Sequence, residues 1–94
     1  MRQYEVMLIL PPDVEDPTVQ GVLDKIAQIL GDNGEVGEVT RWGRRRLAHV
    51  IERQSEGYYL IVNFKSDPDL IVEMNRILHL ADDVLRFKVV NKAA

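Results

Sequence analysis

From Arg2 to Leu30 the sequence runs RQYEVMLILPPDVEDPTVQGVLDKIAQIL. Its first nine residues alternate as a strand does, with Tyr4, Val6, Leu8 and Leu10 on one face and Met7 and Ile9 on the other, so both faces are apolar. Pro11, Pro12 and Asp13 break that strand. Asp16 and Pro17 then supply an N-cap and a first-turn proline. Val19, Leu23, Ile26, Ala27 and Leu30 recur at helical spacing, and Gly31 or Gly34 offers the stop.

The same device returns half a chain later. Val36 to Glu52 reads as a long second strand, bent or bulged at Gly43. Ser55, Glu56 and Gly57 turn the chain into a third strand, Tyr58 to Lys65, with Leu60, Val62 and Phe64 on one face. Asp67 and Pro68 open a second helix whose stripe is Leu70, Met74, Ile77, Leu78 and Ala81. Val84 to Asn91 closes as a fourth strand, with Leu85, Phe87 and Val89 alternating against Arg86 and Lys88. Two strand-helix-strand halves predict an α+β, ferredoxin-like split β-α-β fold: a four-stranded antiparallel sheet with both helices on one face. The first and third strands are expected at the centre, the second and fourth at the edges.

The 94 residues suit one domain, residues 1–94, since a chain of this length buries about 60 to 68% of its unfolded surface. Hydrophobic residues make up 46% and charged residues 29%, which excludes the low-apolar signature of disorder. Without cysteine there is no disulfide framework and no thiolate metal site. The apolar run Val6 to Leu10 is far shorter than the roughly 20 residues of a membrane span, and Arg2 and Glu5 around Tyr4 do not read as a signal peptide. A cytoplasmic protein is expected.

Enzymatic signals are thin. His49 and His79 are the only histidines and stand thirty residues apart, with no cysteine to complete a zinc shell, so a metal site is not expected. Asp82 and Asp83 are adjacent and point apart. Asp67 and Asp69 read as helix caps. No glycine-rich loop follows the first strand, so nucleotide-cradling chemistry is not expected. Pro11, Pro12, Asp13 and Glu15 are the opposite of the anion nest that acylphosphatase-type chemistry needs. No catalytic residue, cofactor, metal or small-molecule substrate is predicted.

The charge distribution points elsewhere. Net charge is -3, but Arg41, Arg44, Arg45, Arg46 and Arg53 face only Glu52 between residues 41 and 53. That segment therefore carries +4 and the remainder -7. Arginine pairs with phosphate and stacks on bases, and Trp42 beside Gly43 adds an aromatic face. Charged residues on an edge strand also prevent edge-to-edge aggregation, but four arginines without an interspersed acid exceed that need. A second signal is the sheet face that two helices leave uncovered, where Met7, Ile9, Tyr59 and Ile61 are expected to point; contiguous exposed apolar area usually marks an interaction site, while strand propensity alone also favours such residues on both faces.

These residues resemble the bacterial small-subunit ribosomal protein six family. The resemblance rests on Met1, Arg2, Tyr4 and Glu5, on Trp42, Gly43, Arg44, Arg45, Arg46, Leu47, Ala48 and Ile51, and on Asp83, Val84, Leu85, Arg86, Val89 and Val90. It departs at His49, where the family usually has tyrosine, and at Val50, where it often has proline. Many members carry a longer, charged C-terminal tail, so tail contacts are not carried over. The resemblance implies a non-enzymatic component of the small ribosomal subunit, binding the central domain of the small-subunit rRNA together with the eighteenth small-subunit ribosomal protein. The candidate RNA contacts are then Arg2, Arg41, Trp42, Arg44, Arg45, Arg46, Lys88 and Lys92, and the candidate protein-partner face is Met7, Ile9, Tyr59 and Ile61.

Two other readings share the element order. An RNA-recognition motif needs aromatics at set positions of the third strand, which Tyr58 and Tyr59 supply only in part. A small-molecule-sensing regulatory domain of the same shape would leave the arginine run without a purpose.

Overall fold

The alternation of Arg2–Leu10 produces a strand, β1, whose even-numbered residues face a core. In the computed structural model, which describes residues 1–51 and 53–92, Tyr4, Val6, Leu8 and Leu10 are buried. The elements are β1 (Arg2–Leu10), α1 (Asp16–Leu30), a 3-10 turn (Gly31–Asn33), β2 (Gly34–Ile51), β3 (Gln54–Ser66), α2 (Asp69–Leu80) and β4 (Arg86–Asn91). They form an antiparallel sheet of order β2-β3-β1-β4, the ferredoxin-like split β-α-β arrangement with β1 and β3 central. No helix among the described residues is long and apolar enough to cross a membrane.

One face of the sheet packs on both helices. Leu60, Val62 and Phe64 of β3 join the β1 residues against Val19, Val22, Ile26 and Leu30 of α1 and Met74 and Leu78 of α2. Each large aliphatic side chain buried this way gains about 1.5 to 3 kcal/mol. The α1 stripe differs from the predicted one in two members: Val22 is buried while Leu23 packs half-buried at the edge of the core, and Ala27 is exposed. Tyr4 and Phe64 stack with centroids 5.5 Å apart, closing the core at one end of β1.

The boundaries shift where polar residues were assigned caps. The N-cap of α1 is Glu15, with Asp16 and Pro17 inside the first turn, and that of α2 is Pro68. Neither helix has a side-chain cap; the Asp67 main-chain carbonyl accepts from Leu70 N–H at 3.1 Å instead. β4 starts at Arg86 rather than Val84, although Leu85 N–H already donates to the Ile9 carbonyl at 2.8 Å.

The hairpin turn is also displaced. Ser55, Glu56 and Gly57 lie within β3, Ile51 pairs with Gln54, and Arg53 takes φ +68 in the turn. Gly57 is a packing glycine: a Cβ there would lie 2.5 Å from Ile9 Cγ2 and 3.2 Å from Leu47 Cδ2. The β2–β3 hairpin consequently extends as a two-stranded ribbon past Tyr58, where β1 stops pairing.

Candidate nucleic-acid interface

Residues paired across an antiparallel sheet share a face, so the register fixes the direction of each paired candidate side chain. On the face away from the helices β1 places Met7 and Ile9, β3 places Gly57, Tyr59 and Ile61, and β4 places Arg86 opposite Ile9 and Lys88 opposite Met7. Met7 is exposed at 37%, Ile9 and Tyr59 are half-buried, and Ile61 is buried at 6%. Three of the four predicted partner-face residues therefore offer surface. Ile61 supports them from beneath.

On β2 the pairing advances by one residue on β3 and two on β2 between Arg41, opposite Leu60, and Gly43, opposite Tyr59. Trp42 is the extra residue of this bulge. Gly43 takes φ +80, a left-handed conformation that glycine adopts without steric cost. The bulge reverses the faces of Gly43 to Arg46, and the register shifts again between Arg46 and Ile51. Arg45 pairs with Gly57 on the open face, whereas Arg44 pairs with Tyr58 and Arg46 with Glu56 on the helix side. Leu47, one residue further, points back over the open face beside Ile9 and is buried there, outside the main core.

The arginine run therefore grips both sides of the protruding ribbon. Arg44 Nε lies 3.5 Å from Glu56 Oε2, and Arg41 Nη1 lies 3.6 Å from Asp16 Oδ1 at the start of α1. Both pairs are solvent-exposed, and such pairs are worth at most about 1 kcal/mol, so a phosphate competes for either guanidinium. Arg45 sits 5.3 Å above the ring centroid of Trp42, which stacks in turn on Tyr59 with centroids 6.4 Å apart. Trp42 is 48% exposed.

That stack joins two groups that sequence reading kept apart. Trp42 belongs to the basic ribbon and Tyr59 to the apolar face, so the two candidate surfaces form one continuous surface. Arg2 is exposed on β1 and Lys88 is exposed beside Met7. Lys92 Nζ donates to Asn63 Oδ1 at 3.2 Å near the opposite end of the sheet from the ribbon, so Arg2 and Lys92 are remote from the arginines. Three residues of this surface escaped sequence reading. Arg86 and Val90, exposed on the open face of β4, follow from alternation with Phe87 and Val89 and were findable; Leu47 was not, because its direction depends on the bulge.

His49 and His79 are exposed, on β2 and in the last turn of α2. Among the described residues no three His, Asp or Glu side chains are grouped as metal ligands.

Comparison with known proteins finds relatives over nearly the whole chain. The family described as Ribosomal protein S6 matches residues 3–91. The chain is 38% identical over 93 residues to the small ribosomal subunit protein bS6 of Heliobacterium modesticaldum, covering 98% of this chain and 97% of that one. It is 44% identical over 90 residues to the protein of that name from Corynebacterium glutamicum, covering 95% of each. The crystal structure of 30S ribosomal protein S6 from Thermotoga maritima superposes with a TM-score of 0.84 at 24% identity, over 97% of this chain and 87% of that one, and shares the fold. Sequence agreement over nearly the whole length establishes that the chain belongs to the ribosomal protein S6 family.

Proposed function

We propose that this chain binds the central domain of the small-subunit rRNA jointly with the eighteenth small-subunit ribosomal protein, using the open sheet face for the protein and the β2–β3 ribbon for the RNA. The coarser part needs no proposal: as a member of its family the chain is a small-subunit ribosomal protein, a non-enzymatic constituent of the bacterial cytoplasmic ribosome. The observation that carries the finer reading is the Arg45–Trp42–Tyr59 stack, which makes a cationic surface and an apolar one contiguous.

The chemistry divides accordingly. Phosphate is met by exposed guanidinium groups that carry no base preference, so the ribbon supplies affinity and orientation rather than sequence readout. Met7, Ile9 and Tyr59 present apolar surface that RNA phosphate cannot match, and burying it against a protein yields roughly 25 cal/mol per Å². A sensor of small molecules would need neither surface.

Quantitative mass spectrometry of small subunits purified from the bacterium that carries this chain tests the assignment. One copy per particle is expected, lost in parallel with the eighteenth protein when particles are stripped by salt. Particles that retain full occupancy of the eighteenth protein after this chain has been removed would contradict joint binding.

A further inference from the structure

The charge of this chain is divided between its two layers. Residues 13–33, which contain α1, hold five acids against Lys25, and residues 67–83, which contain α2, hold five against Arg76, so each segment nets -4. Since the whole chain is -3, the strands and their ribbon carry +5. Of the two helical cations, Arg76 is engaged: its guanidinium donates to the Glu73 carboxylate, which that hydrogen bond holds below the usual carboxylate range.

Three of these acids sit where the helix dipole does not favour them. Asp16 and Asp69 lie in first turns, where a carboxylate suits the positive end of the helix dipole. Asp32 lies just past the end of α1, however, and Asp82 and Asp83 just past the end of α2. Those are the negative ends, where an acid opposes the dipole and a lysine or arginine would help. All three are exposed, and so is Asp24, in mid-helix. Asp24 accepts a hydrogen bond from Gln20 at 2.9 Å, and Asp82 and Asp83 form the turn closed by Val84 N–H on the Ala81 carbonyl, so local structure accounts for part of this placement; the division of charge between the layers goes beyond it.

We propose that the helix layer is an anionic exclusion face, which keeps RNA phosphate off one side of the molecule so that an encounter is productive only when the sheet side leads. This rests on the reading that the sheet side and its ribbon bind RNA. Stacked layers lie about 10 Å apart, and the Debye length at physiological salt is about 8 Å. A polyanion on the outer surface of one layer is therefore largely screened from the outer surface of the other, although Arg41 of β2 reaches Asp16 of α1 at 3.6 Å. Each side acts by its own sign rather than by the net charge.

The test neutralises exposed acids that make no cap: Asp24→Asn, Asp32→Asn, Asp82→Asn and Asp83→Asn together in the full chain. The probe is a double-stranded RNA of unrelated sequence, measured beside the central-domain RNA. The variant is expected to bind the unrelated duplex about tenfold more tightly at low salt, with the gain shrinking as salt shortens the Debye length. Its thermal midpoint is expected to hold or rise, because three of the changes relieve the helix ends. Affinity for the central-domain RNA with the partner protein present should change little, so discrimination falls. Unchanged binding of the unrelated duplex overturns the exclusion face, and so does a loss of central-domain binding, which would make these acids a contact. If the unaltered chain and its partner fail to bind central-domain RNA at all, the functional reading fails instead.

Discussion

Alanine at Arg44, Arg45 and Arg46 together is expected to weaken binding of the central-domain RNA, in the presence of the partner protein, by about 100-fold near 0.1 M salt. A charge-assisted hydrogen bond is worth about 1.5 to 3 kcal/mol when well shielded and less at an exposed ribbon, so three such losses come to about 3 kcal/mol. The salt dependence is the sharper readout. Each phosphate neutralised contributes about 0.7 to 0.9 to the slope of log K against log salt, so the slope should flatten by about two to three. The arginines divide between the two sides of the ribbon, which adds a finer expectation. Arg44→Ala with Arg46→Ala should account for most of the change in slope, whereas Arg45→Ala should also disturb the stack on Trp42. An unchanged slope would mean that these guanidinium groups do not meet phosphate.

Met7→Ser combined with Tyr59→Ser is expected to lower affinity for the eighteenth small-subunit protein by about 30-fold. Each side chain is partly exposed in the free chain, so each withholds roughly 1 kcal/mol of apolar burial when truncated. The main cluster lies on the other face of the sheet and includes neither residue. The thermal transition should therefore move by only a few degrees, chiefly through the lost Trp42–Tyr59 stack, which is worth about 0.5 to 1.5 kcal/mol. Calorimetric titration of the partner and a thermal melt separate the two effects. If the double variant unfolds, these residues belong to the folding core and the apolar face is not a docking surface.

Much of this is legible in the sequence. The paired Asp-Pro signals, at Asp16–Pro17 and Asp67–Pro68, mark the starts of both helices and so the element order, because proline can open a helix but not continue a strand. Period-two alternation assigned both faces of β1 and β3 correctly, since neither strand is bulged between residues 58 and 66, where they pair. Alternation failed at β2 for a physical reason: the side-chain period is two, and one extra residue inverts every later face. Gly43 announced a bulge, but nothing in the sequence said that Trp42 would be the extra residue. Arg44 to Leu47 therefore could not be assigned to a side. The turn was misplaced because Ser55-Glu56-Gly57 has turn chemistry. Gly57 is glycine for another reason, which is that Ile9 and Leu47, distant in sequence, fill the space its side chain would take. Caps at Asp16 and Asp67 were plausible by residue type, yet backbone carbonyls do that work.

The central claim is that the sheet side, with its ribbon, is the side that meets RNA and protein in the subunit. Amine-reactive labelling read by mass spectrometry compares the free chain with assembled small subunits. Lys88 lies beside Met7 on the open face, Lys92 follows β4, and Lys25 lies on α1. Assembly is expected to slow modification of Lys88 by at least about tenfold while Lys25 reacts at its free-chain rate. Protection of Lys25 with Lys88 left reactive would contradict the account, because the helix layer would then be the buried side.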